Sequence, residues 1–140
     1  MKKTVCRLKI LCFSIAVLVT SAGCAGPEDI VNIRWRPVED RTPEGVFLLF
    51  TPDRRRVVGC CGSNRFFGPV RFEGRRGLFI GMLGASRMAT PHHKYEQKFL
   101  DDLQAARSYR VDDDGFLVLV DIDGEPCLKL KKEPVTGRAR

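Results

Sequence analysis

Outside its N-terminal segment, the residues of this chain that could do chemistry are three cysteines, two histidines and two aspartate clusters. Cys60 and Cys61 are adjacent, and Cys127 lies far along the chain. A thioredoxin-like site needs Cys-x-x-Cys at a helix start, where the dipole lowers a thiol pKa. The pair here follows a strand-like run and lacks that spacing. A thiol-redox or other enzyme using Cys60 or Cys61 is therefore the alternative reading, and structural or buried thiols come first. His92 and His93 are neighbours, and on a helix they point about 100° apart. They cannot share one ion as an i, i+4 pair does, so they read as solvated first-turn residues. Asp112-Asp113-Asp114-Gly115 and Asp121-x-Asp123-Gly124 lack the long ligand series of a calcium loop and read as hairpin turns. No catalytic residue, metal or cofactor is expected.

The first residues decide which cysteines remain. Lys2, Lys3, Arg7 and Lys9 form a basic head, and Ile10 to Val19 is apolar apart from Ser14. This is a secretory signal layout, with an apolar run too short to span a bilayer comfortably. Ser21-Ala22-Gly23 directly before Cys24 resembles a bacterial lipobox, with Ser21 where Leu is common. Residues 1–23 are expected to be a lipoprotein signal peptide and Cys24 the lipidation site. The membrane is then a partner through the anchor, and the protein faces the periplasm of the cell envelope. Ala25, rather than Asp, after the anchor resembles lipoproteins sent to the outer membrane. The formal charge of +7 also changes meaning. Four of the 24 basic residues leave with the signal, so 20 face 17 acidic ones, a net +3. That is an ordinary balance, and no nucleic-acid partner is expected. Arg54-Arg55-Arg56 reads as a solvated loop that could touch anionic headgroups, because the anchor holds it near them.

The elements that must position these residues are mostly strands. Residues 24–32 read as a lipidated tether, 33–132 as one domain and 133–140 as a polar tail. Ile33, Trp35 and Pro37 alternate with Arg34 and Arg36. Short apolar runs follow at 46–50, 56–61, 69–74 and 77–83, and 108–131 holds three more strands around the two aspartate turns. Leu128 and Leu130 alternate with Cys127, Lys129 and Lys131, which puts Cys127 off the core face. If a bridge exists, it joins Cys127 to Cys60 or Cys61. Phe66 and Phe67 face opposite ways. The exposed one, beside Arg65, is a contact-surface candidate unless it packs under a neighbouring loop. One helix interrupts the strands, with Thr90 as N-cap, Pro91 at its first position and an end near Arg107. Tyr95, Phe99, Leu103 and Ala106 form its apolar stripe, with Glu96, Lys98, Asp101 and Asp102 on the other side. The fold class is α+β: a curved antiparallel, barrel-like β-sheet with one amphipathic helix packed across it. Any cavity should lie between that stripe and Phe79, Leu117 and Leu119.

Gly62-x-Asn64-x-Phe66-x-Gly68, then Ser86-x-Met88-Ala89, then the Glu-Gln-Lys-Phe-Leu helix, resemble a META domain of the HslJ-like bacterial lipoprotein family. The resemblance runs from about Trp35 to Lys131. It implies a small curved sheet with a helix over one opening, a shape similar to lipoprotein pilots of secretion systems. It carries no established reaction. Relatives commonly have Cys where Ser63 and Thr90 stand, so the resemblance implies that this chain has lost both together. Two partner classes follow for a non-enzymatic envelope lipoprotein with a binding or stress and assembly role. One is an envelope protein and the other a small apolar ligand.

Overall fold

The structure, a computed structural model, describes residues 25–134. The expectations for the signal peptide, for Cys24 and for the tail beyond residue 134 lie outside those residues. Alternating apolar side chains build nine strands: β1 (Trp35–Pro37), β2 (Phe47–Phe50), β3 (Arg56–Cys60), β4 (Arg65–Glu73), β5 (Gly77–Ile80), β6 (Gly84–Ala85), β7 (Ser108–Val111), β8 (Leu117–Val120) and β9 (Pro126–Lys132). Among the described residues a single α-helix, α1 (His93–Ala105), stands between β6 and β7. The sheet order is β3-β2-β1-β9-β8-β7-β5-β4-β6, and β3 also pairs with β4, so the sheet curls into a ring. All the strand pairings are antiparallel. The seam between β5 and β7 is narrow, with Gly77 opposite Ser108 its one register pair. Helix α1 packs against β5 and β9.

The ring encloses the core. Trp35, Leu48, Phe50, Val57, Leu117 and Leu130 are fully buried there, and Phe99 and Leu103 of α1 join them. Phe72 stands edge-on to both Phe50 and Tyr109, with centroids 5.7 and 6.0 Å away. Such edge contacts add about 0.5–1.5 kcal/mol beyond area burial. The indole N–H of Trp35 is satisfied inside the core by the Ile30 carbonyl at 2.9 Å.

Several expectations need correction. The tether expected over 24–32 is packed at its far end: Ile30 is buried and Val31 bridges to Phe50. The helix begins at His93 rather than Pro91 and ends at Ala105 rather than near Arg107. The Thr90 hydroxyl accepts the His92 N–H at 3.1 Å, which caps the turn before the helix instead of the helix itself. Phe79 does not face the helix. Leu78 and Ile80 point inward, so Phe79 points out, between the guanidinium groups of Arg71 and Arg107. The proposed bridge is also absent, and Cys60, Cys61 and Cys127 are free. Cys60 pairs with Phe47, and Arg36, one residue on from the Trp35–Leu48 pair, carries that level across to Lys131. Two strands therefore separate Cys60 from β9, and Cys127 lies four residues beyond Lys131. Strands about 4.8 Å apart put this far outside the ~7 Å Cα limit for a disulfide.

Candidate functional site

The turn joining β3 to β4 holds the motif, and its geometry requires glycine. Gly62 has φ +143°, and a Cβ there would lie 2.8 Å from Glu96 Oε1. Asn64 follows, 5% exposed, with its amide fully used. Its Oδ1 accepts the Ser86 hydroxyl at 3.0 Å and the Met88 N–H at 2.8 Å. Its Nδ2 donates to the Met88 carbonyl at 3.2 Å and to Glu96 Oε2 at 2.9 Å. Glu96 Oε1 accepts the Ser63 N–H at 2.8 Å. The Ser86 hydroxyl in turn accepts the Arg65 N–H at 3.1 Å. Three separate segments are clasped together: the β3–β4 turn, the loop after β6, and α1. Leaving one such buried group unpaired costs about 1–3 kcal/mol, which is why the residues occur as a set. Ser63 and Thr90, the positions of the absent cysteines, touch through their hydroxyl oxygens at 3.2 Å.

Glu96 corrects the sequence reading, which placed it on the outer side of the helix. It is 5% exposed and faces inward. Its spacing carried the signal: Glu96, Phe99 and Leu103 stand at i, i+3 and i+7 on one stripe.

Phe66 and Phe67 divide as alternation demands. Phe66 is in the core, with its ring 5.7 Å from that of Phe99. It therefore leaves the contact-surface candidates, while Arg65 and Phe67 stay outside, Phe67 at 62% exposure. The Phe67 ring lies over Gly84, where a Cβ would come within 3.2 Å of it. Gly68 allows an equally close approach on the other face, since a Cβ would strike Leu83 at 2.6 Å.

A cleft of about 820 Å³ opens beside the clasp. It is not the one expected over Phe79, Leu117 and Leu119, because those leucines are buried in the core with Phe99 and Leu103. One wall is α1, through His93, Gln97, Leu100 and Gln104; the other is the segment from Leu83 to Ala89. Met88, 59% exposed, also lines it. β6 is the last strand in the sheet order, paired with β4 on one side. The Ser86 N–H bonds to the Arg65 carbonyl, so Gly84 and Phe67 form the next bonded pair. Ala85, between them, turns its own N–H and C=O away from β4, because bonding alternates along an antiparallel ladder.

The other reactive residues are placed less suggestively. Burial pushes the Cys61 thiol up to about 11, and neighbouring Glu96 and Cys60 add to the effect. The Cys60 thiol donates to the Gly62 carbonyl at 2.9 Å. His92 and His93 are exposed, and no group of three or more His, Cys, Asp or Glu among the described residues is placed to hold a metal ion. Asp112 and Asp121 each accept two N–H groups of their own turn, as the hairpin reading requires.

Comparison with known proteins agrees with this geometry. The solution NMR structure of a protein from Burkholderia xenovorans is similar, with a TM-score of 0.53 and 21% identity over 76% of this chain and 86% of that one. That degree of likeness speaks for the fold. No curated protein matches the chain. The META domain profile matches residues 29–134, from the segment that delivers Ile30 to the core through the end of β9. With its glycine-asparagine turn, its Ser-x-Met loop and the helix they clasp all inside that span, the chain belongs to the META domain family.

Proposed function

We propose that this META-domain protein is a non-enzymatic, lipid-anchored component of the bacterial cell envelope that holds an extended segment of another envelope protein in its cleft. The observation that carries the reading is the open edge of β6 beside a clasp whose polar groups are already spent. A strand edge with unpaired backbone groups binds extended peptides by adding a strand. Leu83, Leu100 and Met88 supply apolar contact beside it, and Arg87 and His93 supply donors. The small apolar ligand is less well supported, because polar and apolar groups share the lining. The thiol-redox alternative is also less well supported, since Cys61 is buried with a raised pKa and Cys60 points elsewhere on an extended chain. The anchor reading is supported by the basic head, the apolar run and the small residues before Cys24. No helix among the described residues is long and apolar enough to cross a membrane.

Two experiments test this. Cys24→Ser should leave the protein unprocessed or release it from membranes; unchanged fractionation with lipid still attached removes the anchor. A photo-crosslinking residue at position 88 should capture an envelope protein, whereas one at position 122, in the β8–β9 turn, should not. Ala85→Pro blocks the outward N–H without removing a bond to β4. It should abolish the capture while the domain stays folded. Equal capture with and without that substitution contradicts strand addition.

A further inference from the structure

The residues that follow Cys24 meet the domain at a particular end of the ring. Asp29 Oδ2 accepts the Gly26 N–H at 2.8 Å, and Glu28 pairs with Arg54 at 3.7 Å. Ile30 then enters the core. Arg54 belongs to the β2–β3 turn, which carries Arg55 and Arg56 as well. The β4–β5 turn, with Arg75 and Arg76, lies at the same end. The Val70 N–H of β4 bonds to the Arg55 carbonyl at 2.8 Å, and the Tyr109 hydroxyl donates to the Arg75 carbonyl at 2.9 Å. Two arginine-rich turns therefore surround the point where the chain arrives.

Chain length makes this placement consequential. Four residue steps separate Cys24 from Glu28, at most about 14 Å when fully extended. Charges interact with a surface across a Debye length of about 8 Å at physiological salt. Resting on the reading that Cys24 is acylated, we propose that the protein stands on the membrane on this end, with Arg54, Arg55, Arg56, Arg75 and Arg76 against anionic lipid headgroups. The acidic residues nearby are partly occupied. Glu28 pairs with Arg54, Glu73 pairs with Arg71 at 2.8 Å, and Asp53 accepts the Thr51 hydroxyl and the Arg55 N–H. The β6 edge of the cleft lies toward the opposite end, where it pairs with Phe66 and Phe67 of β4. Along β4, Phe67 at that edge stands three residues from Val70, which meets Arg55, and six from Glu73, after which Arg75 and Arg76 follow, about 10 and 20 Å at strand rise. The domain is thereby oriented, with its binding edge lifted clear of the bilayer.

The test uses full-length protein purified from its host membranes, with the acyl state of Cys24 read by mass spectrometry. It is reconstituted into phosphatidylcholine vesicles, with and without phosphatidylglycerol, and its arginines are labelled with phenylglyoxal and mapped by peptide. On anionic vesicles Arg54, Arg55, Arg56, Arg75 and Arg76 should label several-fold more slowly than on neutral ones, with Arg65 and Arg87 unchanged. Added salt should restore the rate. An Arg55→Ser, Arg56→Ser, Arg75→Ser variant that keeps its circular dichroism should lose most of the protection at Arg54. Equal labelling on both vesicles, or protection of Arg65 and Arg87 instead, overturns the orientation alone. An unacylated Cys24 overturns the anchor and the orientation together.

Discussion

The two ends of β4 use polar residues in opposite ways. At the Arg65 end, Asn64, Glu96, Ser63 and Ser86 face one another, and each satisfies a group that burial would otherwise leave unpaired. At the Glu73 end, arginines splay from turns into solvent and their pairs are exposed. A buried amide is expensive to orphan, whereas an exposed ion pair contributes about 0–1 kcal/mol. The more motif-like residues are thus structural, and the less distinctive arginines are the ones exposed at the surface.

Substitutions can break or sharpen this contrast. Asn64→Ala should have the largest effect, lowering unfolding free energy in urea by about 3 kcal/mol, because the Met88 N–H, Ser86 and Glu96 lose a shared partner. A loss under about 1 kcal/mol would mean the clasp is wet and replaceable. Ser63→Cys with Thr90→Cys should close a disulfide where the hydroxyls now touch. That bridge should add about 3 kcal/mol for a loop of this size, visible as a midpoint that falls on reduction. Gly62→Ala should cost about 2 kcal/mol, since its φ is strained for alanine and its Cβ crowds Glu96.

Alkali should act next. Burial raises the Cys61 pKa from 9.0 to about 11, so the folded state holds that proton more tightly than the unfolded chain. Stability contributed by the neutral thiol is present below pH 9 and drains as pH climbs toward 11. Cys127, Tyr95 and Tyr109 are raised for the same first reason and act in the same direction. Urea midpoints at pH 8 and pH 10.5 check this, and a Cys61→Ala variant should show a shallower loss. Arg55→Ala with Arg56→Ala should change stability least, by less than about 0.5 kcal/mol. A larger change would mean that the arginine turns hold the fold together.

The strands were legible because alternation is local. The helix, both aspartate turns and the split between Phe66 and Phe67 followed from the same kind of pattern. Phe79 was misread because residues 78–80 are all apolar, so composition leaves the parity of the strand open. Glu96 was misread because a carboxylate on a helix is solvated by default, and only its partners in the distant β3–β4 turn justify burying it. Ile30 looked like tether because its place is made by Trp35 and by the Val31–Phe50 bridge, contacts that exist only once the ring forms. The cleft escaped for a similar reason, since it lies between segments that a register places together.

The pairing of β1 with β9 sets a schedule for folding. Trp35 faces Lys132, so the first strand in chain order waits for the last. Until residues 126–132 emerge, β1 to β4 form an open arch, tied to β7 and β8 only through the narrow seam at Gly77 and Ser108. Contacts so distant in sequence slow folding. For a chain exported as proposed, that delay keeps the polypeptide threadable until its final strand has been made.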